Sequence, residues 1–278
     1  MLVVSSYMMA KHARSVAAEV TAFRPQWVWA YPSVFFNFKR ISESHLQLSD
    51  LIGFLFASEK LYDWQRQKLA REYNQARILD WYASSEKAAL AYRIYPEQGF
   101  TLVRSYSKIS LKPIGQGETW PCRCALVGTS CFQSPTRTRN YYTGDVVIAN
   151  PDGTIVDILG REQEFIFLKD GKTTPFSQII GSIHSDVWEG VRRFRFEQER
   201  VGELEVYLEE MQPDGRGRLR AQFETLIAAA LGGGVKLNFH FKDIQPRRSS
   251  NGKEIYFVQK LRSGQRGDYS MGGTPTAC

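Results

Sequence analysis

The stretch DWYASSEKAAL, residues 80–90, places an aromatic pair, three small residues and an acid directly after a short apolar run. Trp81 and Tyr82 offer aromatic surface, Ala83, Ser84 and Ser85 leave room beside the backbone, and Glu86 supplies a carboxylate, a combination that could contact a ligand. A structural interpretation competes with this one. Ser84 or Ser85 would then cap a following helix, with Glu86 in its first turn, where the helix dipole favours an acid.

Two closely spaced cysteines offer a second possible chemistry. Cys122 and Cys124 lie in an apolar strand pattern, so their side chains should face the same side of the strand. A zinc site would need further ligands, and His184 is the nearest histidine downstream. Four cysteines are too few for a disulfide framework, and free cysteine is usually buried. We therefore interpret the pair as buried free thiols.

The composition is that of a folded globular protein, with 43% hydrophobic and 23% charged residues in a chain of 278. The apolar runs are far shorter than the roughly 20 residues that a membrane helix needs. The first residues lack the basic start of a signal peptide, so the sequence predicts a cytoplasmic protein. The net charge of +7 is spread along the chain without a long basic block. We therefore expect neither a membrane nor a nucleic acid as partner.

The first ninety residues have the pattern of a parallel sheet covered by helices. Strand patterns occur at 27–33, where a buried strand is expected to run into a turn, and at 51–57 and 76–80; helical patterns occur at 10–23, 35–41 and 62–73. Such alternation is typical of parallel α/β sheets. The stretch 80–90 would then lie at the carboxyl end of a parallel strand, where open α/β sheets bind ligands.

After residue 90 the pattern changes to antiparallel β and then to a smaller α+β unit. Residues 91–161 alternate apolar stretches with Gly, Pro and Asp-Gly turns. Residues 162–261 combine a hairpin signal at Asp170-Gly171 with alternating strands and two helical patterns, in a unit of ordinary domain size. The polar, Gly-rich residues 262–278 are predicted to be disordered. The expected domains are thus 1–161, divided into 1–90 and 91–161, and 162–261.

Six short segments resemble, in order, the signature segments of the adenylate-forming (AMP-binding) enzyme superfamily. The similar branch is that of phenylacetate-CoA ligase and the related capsule-polysaccharide biosynthesis ligases. The segments are FRPQWVWAYPS (23–33), LFASEKLYDWQR (55–66), DWYASSEK (80–87), YYTGD (141–145), LGREQEFIFLKDG (159–171) and RRSSNGKEIYF (247–257). The resemblance implies a fold of α/β plus α+β class. It comprises a partial parallel sheet and a β-rich subdomain of the large domain, followed by a small mobile C-terminal domain.

The resemblance assigns nucleotide contacts to the segment after the third strand. Tyr82 would stack on adenine, and Ala83, Ser84 and Ser85 would admit the nucleotide close to the backbone. Glu86 would hold the Mg²⁺ bound to the phosphates. Ala83 stands where the family usually has glycine, and its methyl group would crowd the ring.

Further roles follow from the later segments. By the resemblance, Asp145 accepts the ribose hydroxyls, Arg161 contacts the ribose, and Gln163 is the hinge on which the small domain swings. Lys253 would reach the carboxylate and α-phosphate as the acyl-adenylate forms, because an ammonium suits charge on several oxygens. Asn140 departs from the arginine that the family usually has. Without the resemblance, Asp145 and Lys253 would be ordinary turn residues.

The acyl pocket would be lined from the first two segments. The candidate residues are Trp29, Tyr31, Phe54 and Phe56. Aromatic strand residues are also common in hydrophobic cores, so both interpretations stay open.

The implied activity is a ligase that uses ATP and Mg²⁺ to convert an organic carboxylic acid to an acyl-adenylate and transfers it to CoA or another thiol or amine. Family members carry a Ser/Thr/Gly-rich phosphate loop upstream of these segments, and the sequence has none. LGGGV (231–235) joins a helix to a strand and is interpreted as a linker. We therefore also expect two alternatives: a truncated, non-catalytic AMP-binding or partner-protein module, or half of a split ligase completed by a separate N-terminal polypeptide. Nucleic-acid binding is a third hypothesis, and steep salt dependence would reveal it.

Overall fold

The first sheet of the computed structural model confirms the predicted alternation of strands and helices. The structure describes residues 1–5, 12–97, 99–114, 121–132, 138–183, 185–211, 216–231, 234–247 and 254–261. Strands lie in the order β1 (Trp27–Ala30), β2 (Gly53–Ala57), β3 (Arg77–Ala83), β4 (Leu90–Tyr95) and β5 (Thr101–Leu102). The first three are parallel, whereas β3, β4 and β5 pair antiparallel.

Three helices accompany this sheet: α1 (Ala13–Phe23), α2 (Pro32–Ser42) and α3 (Asp63–Glu72). Two differences from the sequence prediction have simple causes. The strand within 27–33 ends at Ala30 and, in place of the expected turn, α2 begins at Pro32, earlier than the predicted residue 35, because proline suits the first turn of a helix. The sheet also extends past residue 90, because the chain folds back after β3 and pairs with it.

The core of this α/β part lies between β2 and the helices. Phe54 and Phe56 have no exposed surface, and their rings stack 5.5 Å apart. Phe35 of α2 packs edge-on against both, at 5.0 and 5.7 Å between ring centroids. This aromatic cluster fixes α2 on the sheet and thereby the ends of the parallel strands.

The second sheet is a four-stranded antiparallel meander, as the sequence predicts for residues 91–161. Its strands lie in the order β6 (Ser107–Pro113), β7 (Cys122–Ser130), β8 (Tyr141–Ala149) and β9 (Ile155–Arg161). The register shifts within the β7–β8 and β8–β9 pairs. Such bulges re-aim side chains, and the β7–β8 shift lies between Tyr142 and Val146 of β8, a stretch that contains Asp145.

The smaller unit confirms the predicted α+β pattern. Its elements are β10 (Phe165–Phe167), β11 (Thr173–Pro175), α4 (Phe176–Ser182), α5 (Ser185–Glu189), β12 (Val191–Gln198), β13 (Glu203–Glu210), α6 (Arg216–Leu231), β14 (Lys236–Phe241) and β15 (Phe257–Gln259). Strands β10 and β11 form the hairpin expected at Asp170-Gly171, and the other strands form a sheet in the order β14-β13-β12-β15. The sequence did not predict α5. Residues 262–278, predicted to be disordered, lie outside the described residues.

The smaller unit packs directly against the α/β part. Tyr62, just before α3, is buried in the hydrophobic core of the smaller unit. Trp64 of α3 stacks on Trp188 of α5, with ring centroids 5.5 Å apart. Within the described residues, no helix is long and apolar enough to cross a membrane.

Candidate functional site

The turn after β3 carries the residues that the sequence singles out first. Ser84 and Ala89 pair through the backbone N–H of Ser84 at 3.0 Å, and the N–H of Lys87 donates to the Ser84 carbonyl at 3.0 Å. Ser84 Oγ accepts hydrogen bonds from the N–H groups of Ala88 and Ala89 at 2.9 and 3.0 Å. The structural alternative from the sequence is therefore wrong, because Ser84 closes a tight turn between two strands and caps no helix.

This turn is held against the second sheet by a close backbone approach. A Cβ placed on Gly128 of β7 would lie 1.9 Å from the carbonyl oxygen of Ala88. Ala88 and Ala89 have no exposed surface. Gly128 was missed in the sequence analysis, although a glycine inside an apolar strand is a known sign of close approach by another segment.

Three of the predicted nucleotide contacts form one cluster beside the turn. The Tyr82 hydroxyl donates to Asp145 Oδ2 at 2.5 Å, and Arg161 Nε lies 3.7 Å from Asp145 Oδ1. Asp145 and Arg161 are direct partners across β8 and β9, which explains their proximity. Tyr82 and Asp145 are 63 positions apart along the chain, and the fold brings them into contact.

The Asp145 carboxylate is mostly buried, with 13% of its side chain exposed. Burial raises the pKa of Asp145, whereas the Tyr82 hydroxyl and then Arg161 oppose that shift. Burial, with Asp145 as the next cause, also raises the pKa of Tyr82. Tyr82 is therefore a neutral donor at ordinary pH, and Asp145 is a buried acceptor that two neighbouring groups orient.

The acid predicted to bind metal lies at the edge of this cluster. Glu86 is exposed, and the hydroxyl of Thr138 donates to its backbone carbonyl at 2.8 Å. Burial and then the adjacent Glu86 carboxylate raise the pKa of Tyr141, so Glu86 and Tyr141 are neighbours. Among the described residues, no three or more His, Cys, Asp or Glu side chains are grouped to hold a metal by themselves. A single carboxylate such as that of Glu86 is compatible only with a cation that takes its other ligands from phosphate oxygens and water.

The junction of the two units is a short 3₁₀ helix at Glu162–Glu164. The Tyr142 hydroxyl donates to Glu162, and the Glu164 carboxylate accepts the Arg161 N–H at 3.2 Å. Burial raises the pKa of Glu164. Gln163, the predicted hinge, is exposed at the centre of this turn.

The four predicted acyl-pocket residues are not brought together. Phe54 and Phe56 lie in the core between sheet and helices, without exposed surface. Trp29 of the edge strand β1 is 76% exposed, on the face opposite to that core. Tyr31 lies between β1 and α2. Lys253 lies outside the described residues, as does His184.

A buried ion network links the two sheets below the turn. Asp80 of β3 accepts from Arg93 at 2.9 Å and lies 3.4 Å from Arg66. Asp157 of β9 pairs with Lys60 at 2.9 Å and lies 3.6 Å from Arg93. Burial lowers the pKa of Lys60, an effect that Asp157 opposes. Sequence analysis missed this network, although an Asp inside an apolar strand is a signal for a buried partner.

Cys122 and Cys124 are buried free thiols, as predicted. Their Sγ atoms lie 3.6 Å apart, which confirms that both face the same side of β7.

The sequence and the fold were compared with those of known proteins. No protein-family model matches the sequence, and no curated protein sequence matches it. Solved structures do match. A 2-hydroxyisobutyryl-CoA ligase in the postadenylation state, in complex with R3-HIB-AMP, superposes with a TM-score of 0.69 at 14% identity over 89% of this chain and 57% of the ligase. This chain shares the fold of the matching part of that ligase.

Two further ligases are similar to this chain in structure. The anthranilate CoA ligase AuaEII in complex with anthranoyl-AMP has a TM-score of 0.65 at 16% identity, over 88% of this chain and 51% of the ligase. An o-succinylbenzoate CoA synthetase from Bacillus subtilis, in complex with the acyl-adenylate intermediate OSB-AMP, has a TM-score of 0.58 at 12% identity, over 94% and 55%. The chain therefore spans between 51% and 57% of the length of these ligases.

Proposed function

We propose that this protein provides one wall of the active site of an adenylate-forming ligase. The ligase would activate an organic carboxylic acid with ATP and transfer the acyl group to CoA or another thiol or amine. The observation that carries the proposal is the contact of Tyr82, Asp145 and Arg161 beside the turn at Ser84. The neighbouring ligases, whose structures contain acyl-adenylates, support it by their fold.

The proposed nucleotide contacts follow from the chemistry of this cluster. The Tyr82 ring offers a flat, partly buried surface for adenine, and its hydroxyl holds the Asp145 carboxylate in place. Asp145 would accept hydrogen bonds from the ribose hydroxyls. Its carboxylate would then be shared between the sugar and the Tyr82 hydroxyl. Arg161 is 60% exposed and would contact the ribose from the solvent side. Ala83 and Ser85, which are exposed, would face the nucleotide.

The proposed first step is attack of the substrate carboxylate on the α-phosphorus of ATP, which forms an acyl-adenylate and releases pyrophosphate. Glu86 would bind a Mg²⁺ whose remaining ligands are phosphate oxygens and water, and the ion would neutralise phosphate charge. Lys253 would stabilise the charge that gathers on the carboxylate and α-phosphate. In the second step the thiol or amine displaces AMP, after the small domain turns about Gln163.

The finer points are part of the same proposal. The segment resemblance favours the branch of phenylacetate-CoA ligase and the capsule-biosynthesis ligases. Because the sequence has no Ser/Thr/Gly-rich phosphate loop, the proposal assigns the β- and γ-phosphates to a part of the site outside these 278 residues. A separate N-terminal polypeptide is one source of that part.

Calorimetry with AMP tests the proposed site on this chain directly. Asp145→Asn removes a charged acceptor, and a hydrogen bond to a charged group is worth about 1.5–3 kcal/mol, so AMP should bind roughly 10- to 100-fold more weakly. Asp152→Asn is the matched control, because Asp152 accepts the Thr154 N–H in an exposed turn outside the cluster. Equal AMP affinity in wild type and Asp145→Asn would contradict the proposed contacts.

A second assay separates a ligase from a module that only binds AMP. Pyrophosphate release is measured with ATP, Mg²⁺ and a panel of carboxylic acids. If the protein is a ligase, wild type should release pyrophosphate and Lys253→Ala should not. The control Lys172→Ala changes an exposed lysine and should release pyrophosphate as wild type does. AMP binding without pyrophosphate release would support either a module that only binds AMP or half of a split ligase, both consistent with coverage of 51–57% of the similar ligases. Only the split ligase should gain pyrophosphate release when the complementary N-terminal polypeptide is added.

A further inference from the structure

A cleft of about 460 Å³ lies between α2 and α3 of the α/β part and the sheet of the smaller unit. This volume falls within the range of small-molecule sites, roughly 300–1,000 Å³. Its lining includes residues from both units and none of the proposed adenylate contacts at Tyr82, Glu86, Asp145 and Arg161. The cleft is therefore a separate feature of the described part of the chain.

A chain of aromatic rings crosses this cleft from one unit to the other. Trp64 lies 5.5 Å from Phe36 on one side and 5.5 Å from Trp188 on the other, measured between ring centroids. Trp188 continues to Phe194 at 4.5 Å, and Phe194 stacks on Tyr256 at 4.6 Å. All five residues line the cleft, and four of them are only partly buried. Such a surface suits a flat aromatic ligand.

Three guanidinium groups lie at one side of the cleft. Arg40 comes from α2 of the α/β part, and Arg192 and Arg193 come from β12 of the smaller unit. Glu209 is shared by Arg192 at 3.6 Å and Arg193 at 3.3 Å. Arg40 donates to the neutral amide of Asn37 at 2.6 Å.

The charges on this side do not balance. Among the described residues, Glu254 in the lining and Glu209, which pairs with Arg192 and Arg193, are the acids that act on this side, so the three arginines carry an excess of one positive charge over them. Burial lowers the pKa of Arg40, and repulsion by Arg193 and Arg192 lowers it further. The lysines at the other side are matched by acids, because Glu72 pairs with Lys39 at 2.6 Å and Lys68 lies 3.2 Å from Glu189. An anion would therefore be attracted specifically to the arginine side.

We propose that the cleft binds a phosphorylated aromatic ligand, a nucleotide in chemical class. The aromatic body stacks on the ring chain, and the phosphate is held by Arg40 and Arg192, since guanidinium groups match phosphate with paired hydrogen bonds. Because the lining comes from both units, the bound ligand favours the packed arrangement of the two. This site is independent of the proposed ligase function.

Calorimetry with 1-naphthyl phosphate tests the proposal, because this compound has the aromatic body and the phosphate but no ribose for Asp145. It should bind wild type and Asp145→Asn equally, and at least tenfold more weakly to Arg192→Gln and to Arg40→Gln. Arg200→Gln is the matched control, since Arg200 is 78% exposed and lies outside the cleft. Inorganic phosphate and 1-naphthol should each bind at least tenfold more weakly than 1-naphthyl phosphate.

Three results would overturn the proposal: no binding to wild type, binding that Arg192→Gln leaves unchanged, or binding that only Asp145→Asn removes. The Arg192 side chain is 48% exposed, so its substitution should leave the fold intact, which thermal unfolding checks. Arg192→Lys keeps the charge without the paired donors and should restore only part of the lost affinity. AMP is itself a nucleotide and should occupy both sites, so Asp145→Asn should remove one of two AMP-binding events and Arg192→Gln the other. Failure of one proposal can therefore be told from failure of the other.

Discussion

Substitution of Gly128 by alanine tests how the turn at Ser84 is positioned. The new Cβ would lie 1.9 Å from the Ala88 carbonyl oxygen, and the atom it meets is backbone. Real Cβ atoms stay beyond 3.0 Å, so the turn must move by about 1 Å, and its contacts with β7 weaken. Over-packing of this kind costs about 1–3 kcal/mol. The same displacement moves Ser84 and Glu86 relative to Asp145, so AMP affinity should fall with stability.

The assay is denaturant unfolding, followed by AMP calorimetry on the folded variant. Gly217→Ala is the matched control, because a Cβ at Gly217 of α6 meets nothing within 4 Å. There the same atomic change should be neutral or stabilise by up to about 1 kcal/mol, since alanine is the better helix former. If Gly128→Ala unfolds at the wild-type midpoint and binds AMP equally, the close approach does not position the turn.

Three further substitutions probe the framework around the site. Asp80→Asn removes the carboxylate that Arg66 and Arg93 share, although Arg66 keeps Asp63 and Arg93 keeps Asp157, so the free energy of unfolding measured with denaturant should fall by about 1–3 kcal/mol, and an unchanged value would refute the ion network. Burial raises the pKa of Glu164, so its ionised form costs stability at neutral pH; this cost begins to fall as the pH drops through the raised pKa and is gone below the ordinary pKa of the unfolded chain. Glu164→Gln should therefore be more stable relative to wild type at pH 7 than at pH 4 in parallel denaturant titrations, and the opposite order would contradict the shift. Trp64→Ala removes the stack on Trp188, so protease cleavage at the 162–164 junction should accelerate; equal rates would mean that this contact does not hold the units together.

Local patterns predicted most of the secondary structure. The alternation before residue 90 and the turn signal at Asp170-Gly171 depend on neighbours in sequence, and both are present in the fold. The strand predicted within 27–33 ends at Ala30, and the turn expected after it is the start of α2, because Pro32 suits a turn and the first turn of a helix equally well. The short helix α5 has too few residues to produce a periodic pattern.

The candidate site is formed by residues far apart in the sequence, and local patterns do not predict such contacts. Tyr82 and Asp145 are 63 residues apart, and no local pattern pairs them; only the resemblance of ordered segments suggested that they meet. Local reasoning also allowed Ser84 to cap a helix, and the close packing of the turn on Gly128 shows why the chain folds back instead. The aromatic chain from Phe36 to Tyr256 joins residues of two units, so no local sequence pattern predicts it.

A crystal structure of the protein with AMP tests the proposed adenylate site most directly. We expect the adenine ring on Tyr82, and the ribose hydroxyls within hydrogen-bonding distance of the Asp145 carboxylate, beside Arg161. AMP bound elsewhere, with the Tyr82–Asp145 contact unchanged and no density beside it, would contradict the assignment of these residues to an adenylate site.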